Sequence, residues 1–430
     1  MIGAEKIIEK KKQYLFPSSQ GNHFYKNPPQ IVKGEMQYLY DDKGNKYIDF
    51  FAGVSVMNCG HCNKEILDVT IEQLKTLQHT TILYLTEQMV NLAERLANIL
   101  PGDLSRSFFC CTGSEANEGA MLLARLYTNK NEFIAFENGL HGRTYLTMSA
   151  TAIPMWRADP DLSNRVHFAK NVYSEEFDIE EAAKQSIKSV EEIINSRGAE
   201  NIAALIAEPI QGNGGIITPP LWYFRELKSL LEKNNILLII DEIQTGFART
   251  GKMFAIENYD VVPDIITVAK ALGNGTPISA FCTNDEIAKS FTKPSASTLG
   301  GNPVSAATAI AVLDYIQNNN LCENAKELGN ILKVKLDELK NKHSIIKDVR
   351  GIGLMLGVEL IRKDGEPAIT ETDIVLEKLK DRGIIVGKNG LNRNVLAFQP
   401  PLVINKGDID ILIKNLDEVL DKMVLSHNVD

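Results

Sequence analysis

Leu237-Leu-Ile-Ile-Asp241-Glu-Ile-Gln-Thr-Gly246 and, further on, Asp264-Ile-Ile-Thr-Val-Ala-Lys270-Ala-Leu-Gly273 both bring a short apolar run to an end on a charged residue. A lysine that ends such a run emerges at the rim of a buried sheet. Partial desolvation there lowers its pKa and frees the amine to form a Schiff base. An aspartate ending a neighbouring strand can pair with a protonated pyridine nitrogen and hold the ring as an electron sink. Lys270 and Asp241 taken together therefore suggest pyridoxal phosphate. Singly, each has an ordinary reading: a lysine after a strand is commonly solvated, and an aspartate there commonly caps a helix.

Outward from these two runs, the region from about residue 105 alternates short apolar segments with amphipathic ones, the mark of a mostly parallel sheet with helices on both faces. Strands are expected at residues 107–111, 133–136, 202–207, 236–240, 265–268 and 278–282. Upstream, residues 30–51 read as a small antiparallel meander with a turn at Asp41-Asp-Lys-Gly44. Near residue 325 the pattern changes to a charged helix over 325–342, strands at 353–360, 383–386 and 395–398, and a last helix over 408–423. The expected fold class is α/β, a central mostly parallel sheet plus a small α+β lobe. Residues 1–60 would contribute to that lobe, 61–325 would form the large domain, and 326–430 the small C-terminal domain.

The 430 residues are 44% hydrophobic and 23% charged, ample for a large core and a smaller lobe. A net charge of −9 argues against nucleic acid and anionic membranes as partners, since both attract cationic surfaces. The N-terminus, Met1-Ile-Gly-Ala-Glu-Lys-Ile-Ile-Glu-Lys-Lys-Lys, lacks the continuous apolar centre of a secretory signal. No window approaches the roughly 20 apolar residues of a membrane span. A cytoplasmic location is expected. Cys59-Gly-His-Cys62 matches a redox spacing, but it follows a turn at Asn58 instead of capping a helix. The six cysteines read as reduced thiols, and no second cysteine pair completes a zinc ribbon, so no metal is expected.

Cys111-Thr-Gly113-Ser114-Glu-Ala-Asn-Glu118 sets a glycine and a serine between a strand and a helix, where free backbone N–H groups and a hydroxyl suit one phosphate. A plain serine N-cap explains the same residues. Gly351-Ile-Gly-Leu-Met-Leu-Gly357 resembles a dinucleotide fingerprint but precedes a strand, so its loop geometry is wrong. No Walker A sequence, zinc-protease helix or serine-nucleophile elbow occurs.

Six segments in order, Thr112-Gly-Ser-Glu-Ala-Asn117, Leu140-His-Gly-Arg-Thr144, Ala207-Glu-Pro-Ile-Gln-Gly212, Asp241-Glu-Ile-Gln-Thr-Gly-Phe247, Lys270 and Thr298-Leu-Gly-Gly-Asn-Pro303, resemble the class III aminotransferases of the ornithine, acetylornithine, 4-aminobutyrate and alanine–glyoxylate type. The resemblance runs from about residue 30 to the C-terminus. It implies the pyridoxal-phosphate-dependent fold type I and transamination between an amine donor and a 2-oxo acid. It also implies that Lys270 bonds the cofactor and moves the proton, and that Asp241 pairs with the pyridine nitrogen. Gln244 would reach the ring hydroxyl, Gly113 and Ser114 would hold the phosphate, and Ile243 would pack on one ring face. Thr298 would reach the neighbouring subunit's phosphate, which implies a homodimer or a dimer of dimers.

Two departures bear on specificity. Relatives usually place Phe or Tyr before the His-Gly pair; this chain has Leu140, which forfeits a stacking contribution of roughly 0.5 to 1.5 kcal/mol. Many relatives carry an arginine in the C-terminal Leu-Arg-Phe-x-Pro-Pro segment as a bidentate clamp for the α-carboxylate; here the position is Ala397. Glu208, which gates that arginine in ornithine-type relatives, loses its partner. Arg143 or Arg393 is left to bind a carboxylate, although Arg393 also reads as a solvated loop residue. Val56, in Val54-Ser-Val-Met-Asn-Cys-Gly-His61, is a further candidate substrate contact. The expected donor is a β- or ω-amino acid or an amino-acyl thioester, with 2-oxoglutarate, pyruvate or glyoxylate as acceptor. The alternatives are an acetylornithine- or ornithine-type aminotransferase, or a decarboxylase, aminomutase or lyase on the same fold. A non-enzymatic thiol or scaffold protein is the reading from a different class.

Overall fold

In the computed structural model, which describes residues 2–19 and 24–426, the apolar runs assemble a seven-stranded sheet. In spatial order its strands are Arg106–Cys110, Ser279–Thr283, Ile265–Val268, Leu237–Asp241, Ile202–Ala207, Glu132–Phe136 and Val166–Ala169. Only Ser279–Thr283 runs antiparallel to its neighbours; the other pairings along the sheet are parallel. Ile202–Ala207 and Ile265–Val268 are buried at every position. That is why they carry unbroken apolar runs instead of alternation. Because the six other strands point the same way, their carboxyl ends at Cys110, Phe136, Ala169, Ala207, Asp241 and Val268 share one edge, where open α/β sheets place ligands.

Helix Gly113–Thr128 starts at that edge. Its N-terminus is a capping box: the Thr112 hydroxyl accepts from Glu115 N at 3.2 Å and the Glu115 carboxylate accepts from Thr112 N at 2.9 Å. The cap is therefore Thr112, and Ser114 is displaced into the first turn with its hydroxyl available for other work.

The N-terminal meander forms as Ile31–Glu35, Tyr38–Asp41 and Lys46–Asp49, with Gly44 at φ +84° supplying its turn. Strand Ile384–Ile385 from the far end of the chain pairs parallel to Lys46–Asp49 and extends that sheet. A third sheet contains Ile346–Ile352, Met355–Leu360, Val395–Phe398 and Gly387–Asn389. Strands Val166–Ala169 and Ile346–Ile352 are absent from the sequence-based expectation.

Immediately after the meander, Ala52, Gly53, Val54 and Ser55 all take positive φ, at 50°, 61°, 69° and 57°. This left-handed turn costs roughly 1–2 kcal/mol at each non-glycine residue. Asp49 offsets part of that cost: its Oδ1 accepts from Phe51 N at 2.8 Å and Ala52 N at 2.9 Å. Downstream, the fully buried Arg249 donates to the carbonyls of Leu354 and Pro400 and to the Asn58 side chain, tying three distant segments together behind the turn. The turn thereby holds Val54 and Val56 against the carboxyl edge of the large sheet.

Candidate active site

A cavity of about 530 Å³ opens at the carboxyl edge, and Lys270, Asp241, Gly113, Ser114, Leu140, Ile243, Gln244, Arg143, Glu208 and Val56 all line it. Asp241 is the last residue of its strand, and Lys270 follows the adjacent parallel strand after one intervening residue. The Lys270 backbone is left-handed at φ +42°, an unfavourable conformation for a lysine and one that tertiary packing must hold. Burial lowers the pKa of its amine, against the opposing charges of Asp241 and Glu208, and so enlarges the neutral, nucleophilic fraction.

Asp241 is 4% exposed. Its Oδ2 accepts from Asn117 Nδ2 and pairs with His141 Nδ1, both at 2.8 Å, and its Oδ1 accepts from Ile243 N at 3.1 Å. Asn117 is fixed in turn by Thr267 Oγ1, which donates to its carbonyl oxygen at 2.7 Å. For His141, burial disfavours the charged form, but the hydrogen bond and charge of Asp241 outweigh it and raise the pKa. A carboxylate with two side-chain donors behind it presents a fixed negative charge to whatever lies in front.

The cavity wall fits pyridoxal phosphate. The first turn of Gly113–Thr128 offers backbone N–H groups and the Ser114 hydroxyl to an anion. A Cβ at Gly113 would stand 2.8 Å from Ile243 Cδ1, and one at Gly142 would stand 2.6 Å from Ser114 Oγ, so side chains at either glycine would fill this cradle. Leu140 and Ile243 supply apolar surface, and Asp241 supplies the anion that a protonated pyridine needs. Leu140→Phe should slow cofactor loss by up to roughly tenfold through added stacking. Absorbance during dialysis reads this, and unchanged or faster loss would show that Leu140 does not face the ring.

Glu208 carries no guanidinium partner among the described residues; its oxygens accept from Leu140 N at 2.9 Å and Gly212 N at 3.0 Å. Burial raises its pKa, as does the charge of Asp241, while His141 opposes the shift.

Two expected site residues, Ala397 and Arg393, are not brought to the cavity, and Thr298, expected at the neighbouring subunit's phosphate, lies outside it. Ala397 is fully buried, its methyl group in an apolar cluster with Ile210, Ile216 and Met355. Arg393 lies 5.2 Å over the ring of Phe24, so that guanidinium is used in packing. Thr298 is exposed and lines a separate depression with Cys111, Glu115, Thr144 and Leu299. Conversely, His141, Asn213, Thr276 and Trp156 line the cavity without having been singled out from sequence. His141 lay inside a quoted motif; the others carry no local signal. The Cys59 thiol is buried, which raises its pKa and removes the thiolate a redox pair requires, and Cys59 and Cys62 are both free.

Comparisons with known proteins agree with this geometry. The model of the family "Aminotransferase class-III" matches residues 21–420. The chain is 43% identical to an alanine–glyoxylate aminotransferase 2 homolog 2, mitochondrial, of Arabidopsis thaliana, over 98% of this chain and 88% of the relative. It is 36% identical to an acetylornithine aminotransferase of Methanothermobacter thermautotrophicus, over 98% of this chain and all of that one. Among solved structures, an amine transaminase from an uncultivated Pseudomonas species in its PLP-bound form superposes with a TM-score of 0.89 at 27% identity, over 95% of this chain and 98% of that one.

Proposed function

The chain belongs to the class III aminotransferases and performs pyridoxal-phosphate-dependent transamination with a 2-oxo acid, and on that premise we propose that its amine donor is a β- or ω-amino acid or an amino-acyl thioester. The observation that carries this reading is Glu208. Its two oxygens are spent on backbone amides, and among the described residues no arginine pairs with it to form a fork for an α-carboxylate. Arg143 is the one arginine of the cavity wall among the described residues. It is exposed, placed to meet the distant carboxylate of a donor or that of the acceptor.

Bound pyridoxal phosphate supplies an aldehyde that takes up the amino group and a pyridine ring that accepts electron density from the carbon losing its proton. Asp241, held by Asn117 and His141, keeps the proton on the ring nitrogen. Lys270 Nζ, its pKa lowered by burial, anchors the cofactor and then carries the proton on and off the substrate carbon. Gly113 and Ser114 would bind the phosphate, Gln244 would reach the ring hydroxyl, and Leu140 and Ile243 would exclude water from the ring. The acceptor is 2-oxoglutarate, pyruvate or glyoxylate.

The exposed apolar run Ile82, Leu83, Tyr84 and Leu85, with Leu299 beside Thr298, supports a homodimer in which Thr298 reaches the partner's phosphate. Light scattering should give about twice 47.7 kDa, and a monomer would contradict it. The free thiols support a reducing compartment, the cytoplasm, which cell fractionation checks; the Arabidopsis relative is described as mitochondrial.

A donor and acceptor panel tests the substrate reading. β-Alanine, 4-aminobutyrate and β-aminoisobutyrate should outperform ornithine and acetylornithine, with stoichiometric consumption of the 2-oxo acid. Preference for an unmodified α-amino acid over every β- or ω-amino donor would overturn the donor assignment. Donor consumption without oxo-acid consumption would favour a decarboxylase, aminomutase or lyase.

A further inference from the structure

Trp156 stands where the cavity meets solvent, 45% exposed yet part of the wall. An exposed indole is costly surface, and here it is deliberately fixed. It ends the short helical turn Pro154–Trp156, which begins after the buried Ile153 and is followed by Arg157. The Arg157 guanidinium donates to the carbonyls of Met148, Ser149 and Thr151, and it lies 5.4 Å over the ring of Phe168. One flank of the turn is therefore buried and the other hydrogen-bonded. The indole Nε1–H itself donates to Asn213 Oδ1 at 3.2 Å. Asn213 also lines the cavity, and its carbonyl accepts from Gly390 N at 3.0 Å, so the partner is itself held. The indole is thus tethered at its polar edge, which leaves its apolar faces for contact. Val54 and Val56, projected by the left-handed turn, add aliphatic surface to the same wall.

We propose that Trp156 is a specificity-determining residue for the amine donor, its indole packing on the donor's methylene chain while the bond to Asn213 fixes the ring. The inference rests on the transamination reading and adds a substrate property to it: affinity grows with the apolar length of the donor. A chain lying on such a surface gains about threefold per added methylene. An aromatic wall of this kind also accepts aryl amines, whose rings stack on the indole.

Stopped-flow measurement of the amine half-reaction with propylamine, butylamine and pentylamine, which carry no carboxylate, isolates this contribution from Arg143. In wild type, kcat/KM should climb by about threefold per methylene. Trp156→Ala should flatten that climb to less than about twofold per methylene. Trp156→Phe, which keeps an aromatic face and loses the tether, should fall between the two. A second readout needs no turnover. The chain has two tryptophans, Trp156 and Trp222, and Trp222 binds Glu180 Oε2 through its indole N–H and is not part of the cavity wall. In a Trp222→Phe background, emission therefore reports Trp156 alone, and it should change on addition of pentylamine. Equal chain-length dependence in wild type and Trp156→Ala, with no emission change, overturns the inference and leaves transamination standing. A cofactor-loaded wild type that turns over no amine at all overturns the transamination reading, and the inference with it.

Discussion

Lys270→Ala should abolish transamination while leaving the fold intact. Its amine is the only one on the described cavity wall, and two separate duties depend on it: the covalent hold on the cofactor and the proton transfer at the substrate carbon. The pocket around it should survive, since Asp241 keeps its bonds to Asn117, His141 and Ile243 N. The variant should therefore still take up pyridoxal phosphate, without the absorbance of the cofactor–lysine bond. Turnover is expected to fall by at least about four orders of magnitude, since the loss covers both covalent anchoring and general base action. An unchanged melting temperature measured beside the kinetics separates this from unfolding.

Asp241→Asn should retain the cofactor yet lower the rate of the amine half-reaction by about two to four orders of magnitude, the range for loss of a positioned proton-holding group. The amide is nearly isosteric but uncharged, so it no longer favours the protonated pyridine. The same change has a signature on a neighbour. Asp241 is the main influence raising the His141 pKa, while burial lowers it. Without the carboxylate charge, the balance tips toward burial. The His141 titration followed by NMR should then move to lower pH than in wild type. In wild type, stabilisation from the His141–Asp241 pair is present at pH below the unfolded histidine pKa and is lost as pH rises through the higher folded one; the variant should lose that dependence. Near wild-type transamination by Asp241→Asn would show the carboxylate to be structural.

Much of this architecture was legible because the central strands are buried on both faces. Ile202–Ala207 and Ile265–Val268 have no exposed side to encode, so composition alone marks them. Val166–Ala169 escaped notice because it is four residues long and carries His167, whose imidazole pairs with Glu132. Ile346–Ile352 escaped because Lys347, Asp348 and Arg350 read as a charged loop. Their charges are answered across the sheet and along the strand, where Arg350 donates to Glu359 at 2.6 Å and to Asp348 at 3.3 Å. Such pairings are tertiary, and a local pattern cannot carry them.

The same division holds at the site. Asp241 ends a strand and Lys270 follows one after a single residue, so sequence position places them at the sheet edge without further information. Asn117 and His141 reach Asp241 from 124 and 100 residues away in the chain, and nothing local announces either contact. Ala397 and Arg393 show the converse error. Both sit near a recognisable segment, but Val395–Phe398 presents Ala397 to Ile210 and Ile216, and Arg393 covers Phe24. Absence of an arginine at position 397 still bears on the donor through Glu208, whose partners among the described residues are backbone amides and no guanidinium; Ala397 itself contributes no cavity surface.

The central claim is that the cavity at the carboxyl edge is a pyridoxal phosphate site built on Lys270. Borohydride reduction of the cofactor-loaded protein followed by peptide mapping tests it most directly. The account predicts a single phosphopyridoxyl label on the peptide that contains Asp264-Ile-Ile-Thr-Val-Ala-Lys270. A label on any other lysine, or no reducible bond in a protein saturated with cofactor, would contradict it.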